Sequence, residues 1–162
     1  VSCGKATARG FCLARATNGS VWAWGDNAAG QLGDGTLNGH LIPFQVPGLT
    51  SISRVIAGFL ESYAIDASGV VYSWGASGPG GVHAAGTLGI LGRPVTNNAW
   101  VPGVVTLAGP AVEIASSGTH AAVLLSDGTI WSWGSNIQGE FGDGSSGTTS
   151  AVPVQALGIN LN

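Results

Sequence analysis

Short apolar segments separated by glycine-rich turns run along the whole chain, and most keep the two-residue period of a β-strand. Residues 21–24 (VWAW) and 130–133 (IWSW) alternate aliphatic or small side chains with tryptophan, so successive side chains point to opposite faces of a sheet. Proline lies in two further apolar segments, residues 42–46 and 152–155, which favours edge strands because proline lacks an N–H. No amphipathic helix with cap residues is indicated. The other predicted strands are residues 11–14, 52–57, 62–65, 111–115 and 121–125.

The turns between neighbouring strands also have a recognisable chemistry. Asn18-Gly19 and Asp127-Gly128 come directly before the two tryptophan-containing strands. Asn-Gly and Asp-Gly favour two-residue hairpins, because both central positions tolerate positive φ. The sequence therefore predicts β-hairpins closed by two-residue turns at these places.

One pattern of turn, aromatic strand, Trp-Gly and glycine loop occurs three times. In each copy the turn glycine precedes the second aromatic residue by five positions (19 to 24, 69 to 74 and 128 to 133). Repeated units of this size indicate a stacked-repeat or propeller architecture. The tryptophans that precede glycine at equivalent places are expected to pack the blades, and they are Trp24, Trp74 and Trp133.

The spacing between repeats distinguishes strand-containing segments of constant length from a loop of unequal length. A proline ends each unit, and the step from proline to the next tryptophan is 31 residues both times (43 to 74 and 102 to 133). The unequal part of the second unit is therefore its loop between Trp74 and Pro102, since strand pairing fixes register and surface loops tolerate insertion. The expected fold is a single all-β repeat domain of propeller blades, each a four-stranded meander. The predicted blade units are approximately residues 1–48, 49–107 and 108–157, with 158–162 as the first strand of a further blade.

The glycine loops carry a family resemblance. Residues 24–36 (WGDNAAGQLGDGT) and 133–145 (WGSNIQGEFGDGS) resemble the repeat of the regulator of chromosome condensation family, as does the Gly-x-x-His segment at 117–124 (SGTHAAVL). The middle unit is more divergent, and Gly86-Thr87-Leu88-Gly89 is assigned to its Gly-Gln-Leu-Gly step. The resemblance, to bacterial-style secreted members in particular, implies a propeller. It implies no single function, because such propellers serve as exchange factors, light receptors, enzyme inhibitors and interaction modules.

The number of repeats suggests that the chain needs a partner. Propellers of this family are expected to close with about seven blades, whereas this chain contains three. Open sheet edges invite pairing with another chain. The tail resembles the start of a repeat and the head begins midway through one, so the tail of one copy is expected to supply a missing strand in the first blade of another. A six-bladed ring of two copies or a head-to-tail filament would result; the alternative is a piece of a longer propeller. The expected self-assembly residues are Val1, Ser2, Leu157, Ile159 and Leu161.

Composition places the chain outside several functional classes. Charged residues make up 8% of the sequence, hydrophobic residues 44%, and the formal net charge is −3. A nucleic-acid-binding protein would be expected to carry a basic face, so no nucleic-acid partner is expected. No apolar run reaches membrane-spanning length, so no membrane insertion is expected. The sequence contains no methionine, which we interpret as a processed or excised chain, most simply one that has lost a secretion signal.

The two cysteines support an extracellular setting. Cys3 and Cys12 flank residues 4–11, in the one unit whose head carries extra residues. A disulfide there would stabilise the longer excursion by roughly 2–3 kcal/mol and would imply an oxidising compartment. Two buried free thiols are the alternative. Metal binding by two cysteines without nearby histidines is not expected.

Candidate chemistry is sparse. The histidines His40, His83 and His120 lie in different units without a consistently spaced carboxylate or nucleophile, so neither an enzyme nor a cofactor or metal site is predicted. Asp34 and Asp143 are interpreted as turn-forming residues. The second-unit loop, residues 76–100, is the candidate binding segment, since binding residues concentrate on loops of rigid scaffolds. An insertion with a buried tryptophan is the alternative. Its candidate contact residues are His83, Arg93, Asn97, Asn98 and Trp100.

Two functions from different classes therefore remain. The first is a non-enzymatic, secreted, self-assembling module whose main partner is another copy of itself. The second is a propeller that binds another protein, as an enzyme inhibitor or regulatory partner, through residues 76–100. A nucleotide-exchange role ranks third, because the loop insertion on which that activity depends in the family is not identified here.

Overall fold

The computed structural model describes residues 1–6, 9–76, 89–94, 99–159 and 161, and these form three four-stranded antiparallel sheets. Within each sheet the strands follow chain order, so each sheet is the predicted meander and corresponds to one propeller blade. None of the described residues belongs to a helix that is long and apolar enough to cross a membrane. The first blade contains β1 (Ser2–Ala6), β2 (Arg9–Arg15), β3 (Val21–Gly25) and β4 (His40–Gln45); the second contains β5 (Ile52–Ala57), β6 (Glu61–Asp66), β7 (Val71–Gly75) and β8 (Gly103–Val105); the third contains β9 (Ala111–Ser116), β10 (His120–Leu125), β11 (Ile130–Asn136) and β12 (Thr148–Gln155).

The turns between the second and third strands differ from the expected two-residue hairpins. Gly19 and Gly128 have positive φ, but Asn18 and Asp127 do not, and the predicted turn type requires positive φ at both positions. Instead, Asn18 Oδ1 accepts a 3.0 Å hydrogen bond from the N–H of Ser20, and Asp127 Oδ1 accepts one of 2.9 Å from Thr129. The prediction was wrong because these side chains bond the backbone two residues ahead, which holds them in a longer turn.

The glycine that follows each repeat tryptophan is required by the backbone. Gly25, Gly75 and Gly134 have φ values of 107°, 104° and 96°. At each of these glycines a Cβ would lie 2.5 Å from a backbone oxygen at or just before the start of the preceding strand. In the first and third blades the pairing register with the outermost strand shifts at this point. A side chain would therefore be excluded both by conformation and by contact.

The hydrophobic core lies between blades rather than in one central cluster. One cluster joins the first blade to the second and includes Leu13, Leu32 and Trp74. The other joins the second blade to the third and includes Leu91 and Trp133. Each blade buries apolar side chains mainly by packing against the next one, as expected for repeat proteins in which a single unit cannot bury its own apolar face.

The disulfide predicted from the sequence is confirmed. Cys3 and Cys12 are directly opposite each other on β1 and β2, and their sulfur atoms are bonded at 2.05 Å. The bond closes the hairpin formed by the first two strands. The alternative of two free thiols is thereby excluded.

Both ends of the chain lie at the first strand of a repeat. The N–H of Leu161 donates to the carbonyl oxygen of Gly128 at 3.0 Å, as the N–H of Ile52 donates to Gly19 at 3.0 Å. We call the first strand of each blade (β1, β5 and β9) its inner strand. Leu161 thus stands where the inner strand of a further blade would begin. The first blade, however, already has four strands, because β1 pairs with β2. The expectation of a missing strand was wrong, since β1 is the first blade's own inner strand and its residues correspond to positions from Ile56 onward in the second blade.

Candidate protein-interaction site

Neighbouring blades are joined by a tryptophan that packs on a glycine loop. The indole Nε1 of Trp74, in the second blade, donates a 2.9 Å hydrogen bond to the carbonyl oxygen of Gln31 in the first blade. A Cβ on Gly33 would lie 2.7 Å from the same nitrogen, so only glycine allows this approach. Trp74 is fully buried at this contact. We call residues 30–33 the first-blade loop.

The same contact joins the second blade to the third. Trp133 Nε1 donates a 2.8 Å hydrogen bond to the carbonyl oxygen of Ile90, and a Cβ on Gly92 would lie 2.6 Å from the indole ring. The second-blade loop is therefore residues 89–92 (GILG). The sequence assignment of this step to residues 86–89 was wrong by three positions. Both tetrapeptides match the Gly-x-Leu-Gly pattern, and the contact with Trp133 decides between them.

An asparagine and a long polar side chain hold the first-blade loop in shape. The fully buried Asn27 accepts a 2.9 Å hydrogen bond at Oδ1 from the N–H of Leu32. The side-chain oxygen of Gln31 accepts a 2.8 Å hydrogen bond from the N–H of Ala29. These bonds hold the loop from within its own blade, in addition to the contacts that the second blade makes with it.

The third blade has a loop of the same construction at residues 139–142. The buried Asn136 accepts a 2.9 Å hydrogen bond from the N–H of Phe141, and Glu140 Oε2 accepts one of 2.9 Å from Gln138. Hydrogen bonds from the backbone N–H groups of Glu140 itself and of Gln138 lower the pKa of the Glu140 carboxyl group. Unlike Gly33 and Gly92, which are buried, Gly142 is exposed. No tryptophan packs on this third-blade loop within the described part of the chain.

At the opposite end of the chain, Trp24 is the repeat tryptophan that packs on no glycine loop among the residues the structure describes. It is only half-buried, whereas Trp74 and Trp133 are completely buried. Its indole N–H makes no hydrogen bond within residues 1–6, 9–76, 89–94, 99–159 and 161. The structure therefore has two open blade faces, one that presents Trp24 and one that presents the third-blade loop.

A buried carboxylate adds a second contact between the second and third blades. Glu61 is 2% exposed, and its Oε1 accepts a 2.7 Å hydrogen bond from the hydroxyl of Ser116 on β9. Its Oε2 accepts a 3.0 Å hydrogen bond from the N–H of Leu60. The sequence gives no signal for this role, because the other two blades have Phe11 and His120 at the equivalent position opposite the Trp-Gly glycine.

Two residues of the predicted binding segment take part in internal contacts. Arg93 is partly buried, and its Nη2 donates a 3.0 Å hydrogen bond to the carbonyl oxygen of Ser73. Burial lowers the pKa of its guanidinium group. Trp100 is half-buried, and a Cβ on Gly30 would lie 2.3 Å from its ring. These two side chains therefore anchor the segment to the first two blades. His83, Asn97 and Asn98 lie outside the described residues.

The predicted self-assembly residues lie at the two open ends. Val1 and Leu157 are largely exposed, and the exposed fractions of Ile159 and Leu161 are 45% and 61%. Ser2, in contrast, accepts a 3.0 Å hydrogen bond at Oγ from the N–H of Ala57 and so contacts the second blade. The head residues belong to the first blade and the tail residues follow the third.

The acidic turn residues bond the backbone, as expected. Asp34 Oδ1 accepts a 2.8 Å hydrogen bond from the N–H of Thr36, and Asp143 Oδ1 accepts one of 2.9 Å from Ser145. Burial opposes ionisation of Asp34, but hydrogen bonds from His40, Thr36 and Asn27 outweigh it and lower the pKa of the carboxyl group. Among the residues described, no three His, Cys, Asp or Glu side chains form a group that could hold a metal ion.

Sequence comparison agrees with this geometry. The profile of the Regulator of chromosome condensation (RCC1) repeat matches residues 18–59 and 111–140. The chain therefore contains RCC1 repeats. It is 33% identical to human E3 ubiquitin-protein ligase HERC2 over 94% of its own length, but it spans only 3% of that protein. It is also 33% identical to the Arabidopsis thaliana mitochondrial RCC1 domain-containing protein RUG3, over 83% of this chain and 28% of that one.

Solved structures show the same fold. Human WBSCR16 superposes with a TM-score of 0.74 and 25% identity, covering 96% of this RCC1-repeat chain and 37% of WBSCR16. Prp20p from Saccharomyces cerevisiae superposes with a TM-score of 0.71 and 20% identity, covering 90% of this chain and 36% of Prp20p. The chain thus corresponds to about a third of each of these propellers.

Proposed function

We propose that the chain is a non-enzymatic, extracellular propeller module that assembles with other copies of itself through its two end blades. The observation that carries the proposal is the position of Leu161, whose N–H bonds to Gly128 where the inner strand of a further blade would begin. The first blade lacks the corresponding start of its inner strand. A tail and a head from two copies would therefore combine into one inner strand.

Exposed apolar side chains support association at these ends. Leu157, Ile159 and Leu161 are exposed in the separate chain although all three are large apolar residues close together in sequence, and clustered exposed apolar residues are typical of interaction sites. Burying them in a junction would remove apolar area from water and stabilise the assembly. Six blades from two copies could close a ring, and a junction that does not close would give a filament.

An extracellular location is supported by the disulfide between Cys3 and Cys12, since such bonds persist in oxidising compartments. The chain's low content of basic residues, with a net charge of −3, supports a protein rather than a nucleic-acid partner. The location is tested by quantifying the protein, with an antibody, in the medium and in washed cells of its source. Retention inside intact cells, in reduced form, would overturn this part of the proposal.

Self-assembly is tested by light scattering over a hundredfold range of concentration on the intact chain and on a chain that ends at Leu157. We expect the intact chain to associate and the shortened chain to be a monomer. Leu41→Ser is the matched control, because Leu41 is a fully exposed apolar residue outside the tail; it should associate normally. A folded intact chain that stays monomeric at every concentration would overturn the proposal.

A second candidate function is binding of a different protein through residues 76–100. It is supported by the fold of Prp20p, whose structural study concerns its binding to Gsp1p and histones. A monomer that captures one defined protein, and loses it when residues 77–88 are replaced by a short glycine-serine linker, would favour this function over self-assembly.

A further inference from the structure

The blade contacts within the chain follow one rule. Each junction pairs a tryptophan on one blade with a glycine loop on the preceding blade, and donor and acceptor are separated by 43 residues in both cases. Trp74 bonds the carbonyl oxygen of Gln31, and Trp133 bonds that of Ile90. Both indoles pack on a glycine whose missing side chain leaves them room. Every blade thus presents a donor face and an acceptor face.

The third-blade loop is a vacant acceptor site with its shape already set. Asn136 and Glu140 make the same 2.9 Å side-chain bonds to the loop backbone that Asn27 and Gln31 make in the first blade at 2.9 and 2.8 Å. The carbonyl oxygen of Glu140 accepts no hydrogen bond within the described ranges. A loop that is held from within its own blade needs little rearrangement on binding, which favours affinity.

The surface around this carbonyl is accessible. Gly142 is exposed, and a Cβ there would meet only Ala156, at 3.4 Å. The equivalent glycines, Gly33 and Gly92, are covered by the indoles of Trp74 and Trp133. The open acceptor face of the third blade therefore lacks one aromatic side chain that carries an N–H donor.

The first blade presents such a side chain. Trp24 precedes the strand-ending Gly25 as Trp74 precedes Gly75, and its position on β3 corresponds to that of Trp74 on β7. It is half-buried, with no acceptor for its indole N–H among the described residues. The donor face at one end thus matches the acceptor face at the other end of the same chain.

We propose that Trp24 of one copy packs on Gly142 of a second copy and donates its indole N–H to the carbonyl oxygen of Glu140. The junction continues the two blade interfaces already present, which is why we assign a second copy as the partner. This inference rests on the proposed self-assembly and names the contact that sets its direction. Each copy supplies one half of a junction at each end.

The direct test compares dissociation constants of the assembly, measured by sedimentation equilibrium, for two substitutions. Trp24→Phe keeps an aromatic ring but removes the donor, and we expect the dissociation constant to rise about tenfold, the loss of one hydrogen bond. Gly142→Asn places a side chain in the site, and asparagine tolerates the positive φ of this position. We expect this substitution to abolish association.

Each substitution has a matched control. Trp22→Phe also removes an indole donor, but Trp22 is exposed and its N–H bonds to Ser20 of its own blade. Gly144→Asn places the same side chain at a positive-φ glycine with nothing within 4 Å. We expect both controls to associate like the unchanged chain. Thermal unfolding at a concentration that keeps the chains monomeric verifies that all four variants fold.

A mixing experiment tests the direction of the junction. A Trp24→Ala copy keeps its acceptor loop but has lost the tryptophan donor. A Gly142→Asn copy keeps the tryptophan donor but its acceptor loop is blocked. Each should be monomeric alone, and a one-to-one mixture should form dimers that contain one copy of each, because one intact junction is restored. Association that is unaffected by Trp24→Phe and Gly142→Asn would overturn this inference and leave the proposed function standing. A monomeric intact chain would overturn both.

Discussion

The indole Nε1 of Trp133 lies 2.8 Å from the carbonyl oxygen of Ile90, across the boundary between two blades. Both residues are buried, so neither group can exchange this bond for one with water. Tyr63 donates its hydroxyl to the same carbonyl oxygen. One backbone oxygen thus receives a donor from its own blade and a donor from the next, which links blade structure to blade packing.

Replacing Trp133 by phenylalanine should lower the free energy of unfolding by about 1–3 kcal/mol. The substitution removes one donor and part of the indole volume, whereas the carbonyl oxygen of Ile90 keeps its bond with Tyr63. Urea unfolding measures the difference. Trp131→Phe is the control, because the Nε1 of Trp131 bonds to Thr129 of the same hairpin and Trp131 is only partly buried; its effect should be smaller than that of Trp133→Phe. Equal effects of the two substitutions would contradict the special role of Trp133.

Replacing Gly92 by alanine should destabilise the chain more than replacing Gly144 by alanine. Both glycines have positive φ, 65° and 85°, so alanine is strained by about 1–2 kcal/mol at either position. At Gly92 the added Cβ would also lie 2.6 Å from the ring of Trp133, whereas at Gly144 it would meet nothing within 4 Å. Overpacking adds about 1–3 kcal/mol at Gly92 alone. Urea unfolding of the two variants gives the difference, and indistinguishable values would contradict the close approach of Trp133.

The repeat could be predicted from the sequence because strand pairing and blade packing impose regular spacing on it. Trp74 and Trp133 stand in the same local pattern, and both are fully buried. Trp24 stands in that pattern too, yet it is only half-buried. Its burial depends on whether another blade covers it, and a local pattern contains no information about that neighbour.

The loop of the middle unit shows a different limit. Residues 86–89 and 89–92 both match the Gly-x-Leu-Gly pattern, and local chemistry does not distinguish them. Counting 43 residues back from Trp133 leads to Ile90, as the same count from Trp74 leads to Gln31. The signal was therefore present as a long-range spacing. The contact between Glu61 and Ser116 had no such signal, because it occurs at one blade boundary only.

Removing the disulfide should lower the free energy of unfolding by about 2–3 kcal/mol, since the bond closes a loop of nine residues in sequence separation. The variant is Cys3→Ala with Cys12→Ala, and urea unfolding is the measurement. Reducing agent should destabilise the unchanged chain by a similar amount and leave the double variant unaffected. An effect of reducing agent on the double variant, or none on the unchanged chain, would contradict this account.

Acid should remove the contribution of Asp34 to stability. The pKa of this carboxyl group is lowered in the folded chain from its ordinary value of 3.8, because hydrogen bonds from His40, Thr36 and Asn27 outweigh the opposing effect of burial. A lowered folded-state pKa means that the contribution is fully present above the unfolded-state value and is lost as the pH falls through the folded-state value. Asp34→Asn should therefore destabilise the chain near neutral pH, and the difference should shrink as the pH falls below the ordinary pKa of 3.8 and through the lower folded-state pKa.

The measurement that decides this is urea unfolding of the unchanged chain and of Asp34→Asn at a series of pH values. Leu37→Ala is the control, because Leu37 is an exposed residue of the same loop without an ionisable group. Any destabilisation that it causes should be the same at every pH. If the difference between Asp34→Asn and the unchanged chain were also independent of pH, the carboxylate would not be the source of the stabilisation. The segment would then be held without the carboxylate, for example by the hydrogen bonds that the Asn27 side-chain amide donates to the carbonyl oxygens of Thr36 and Asn38.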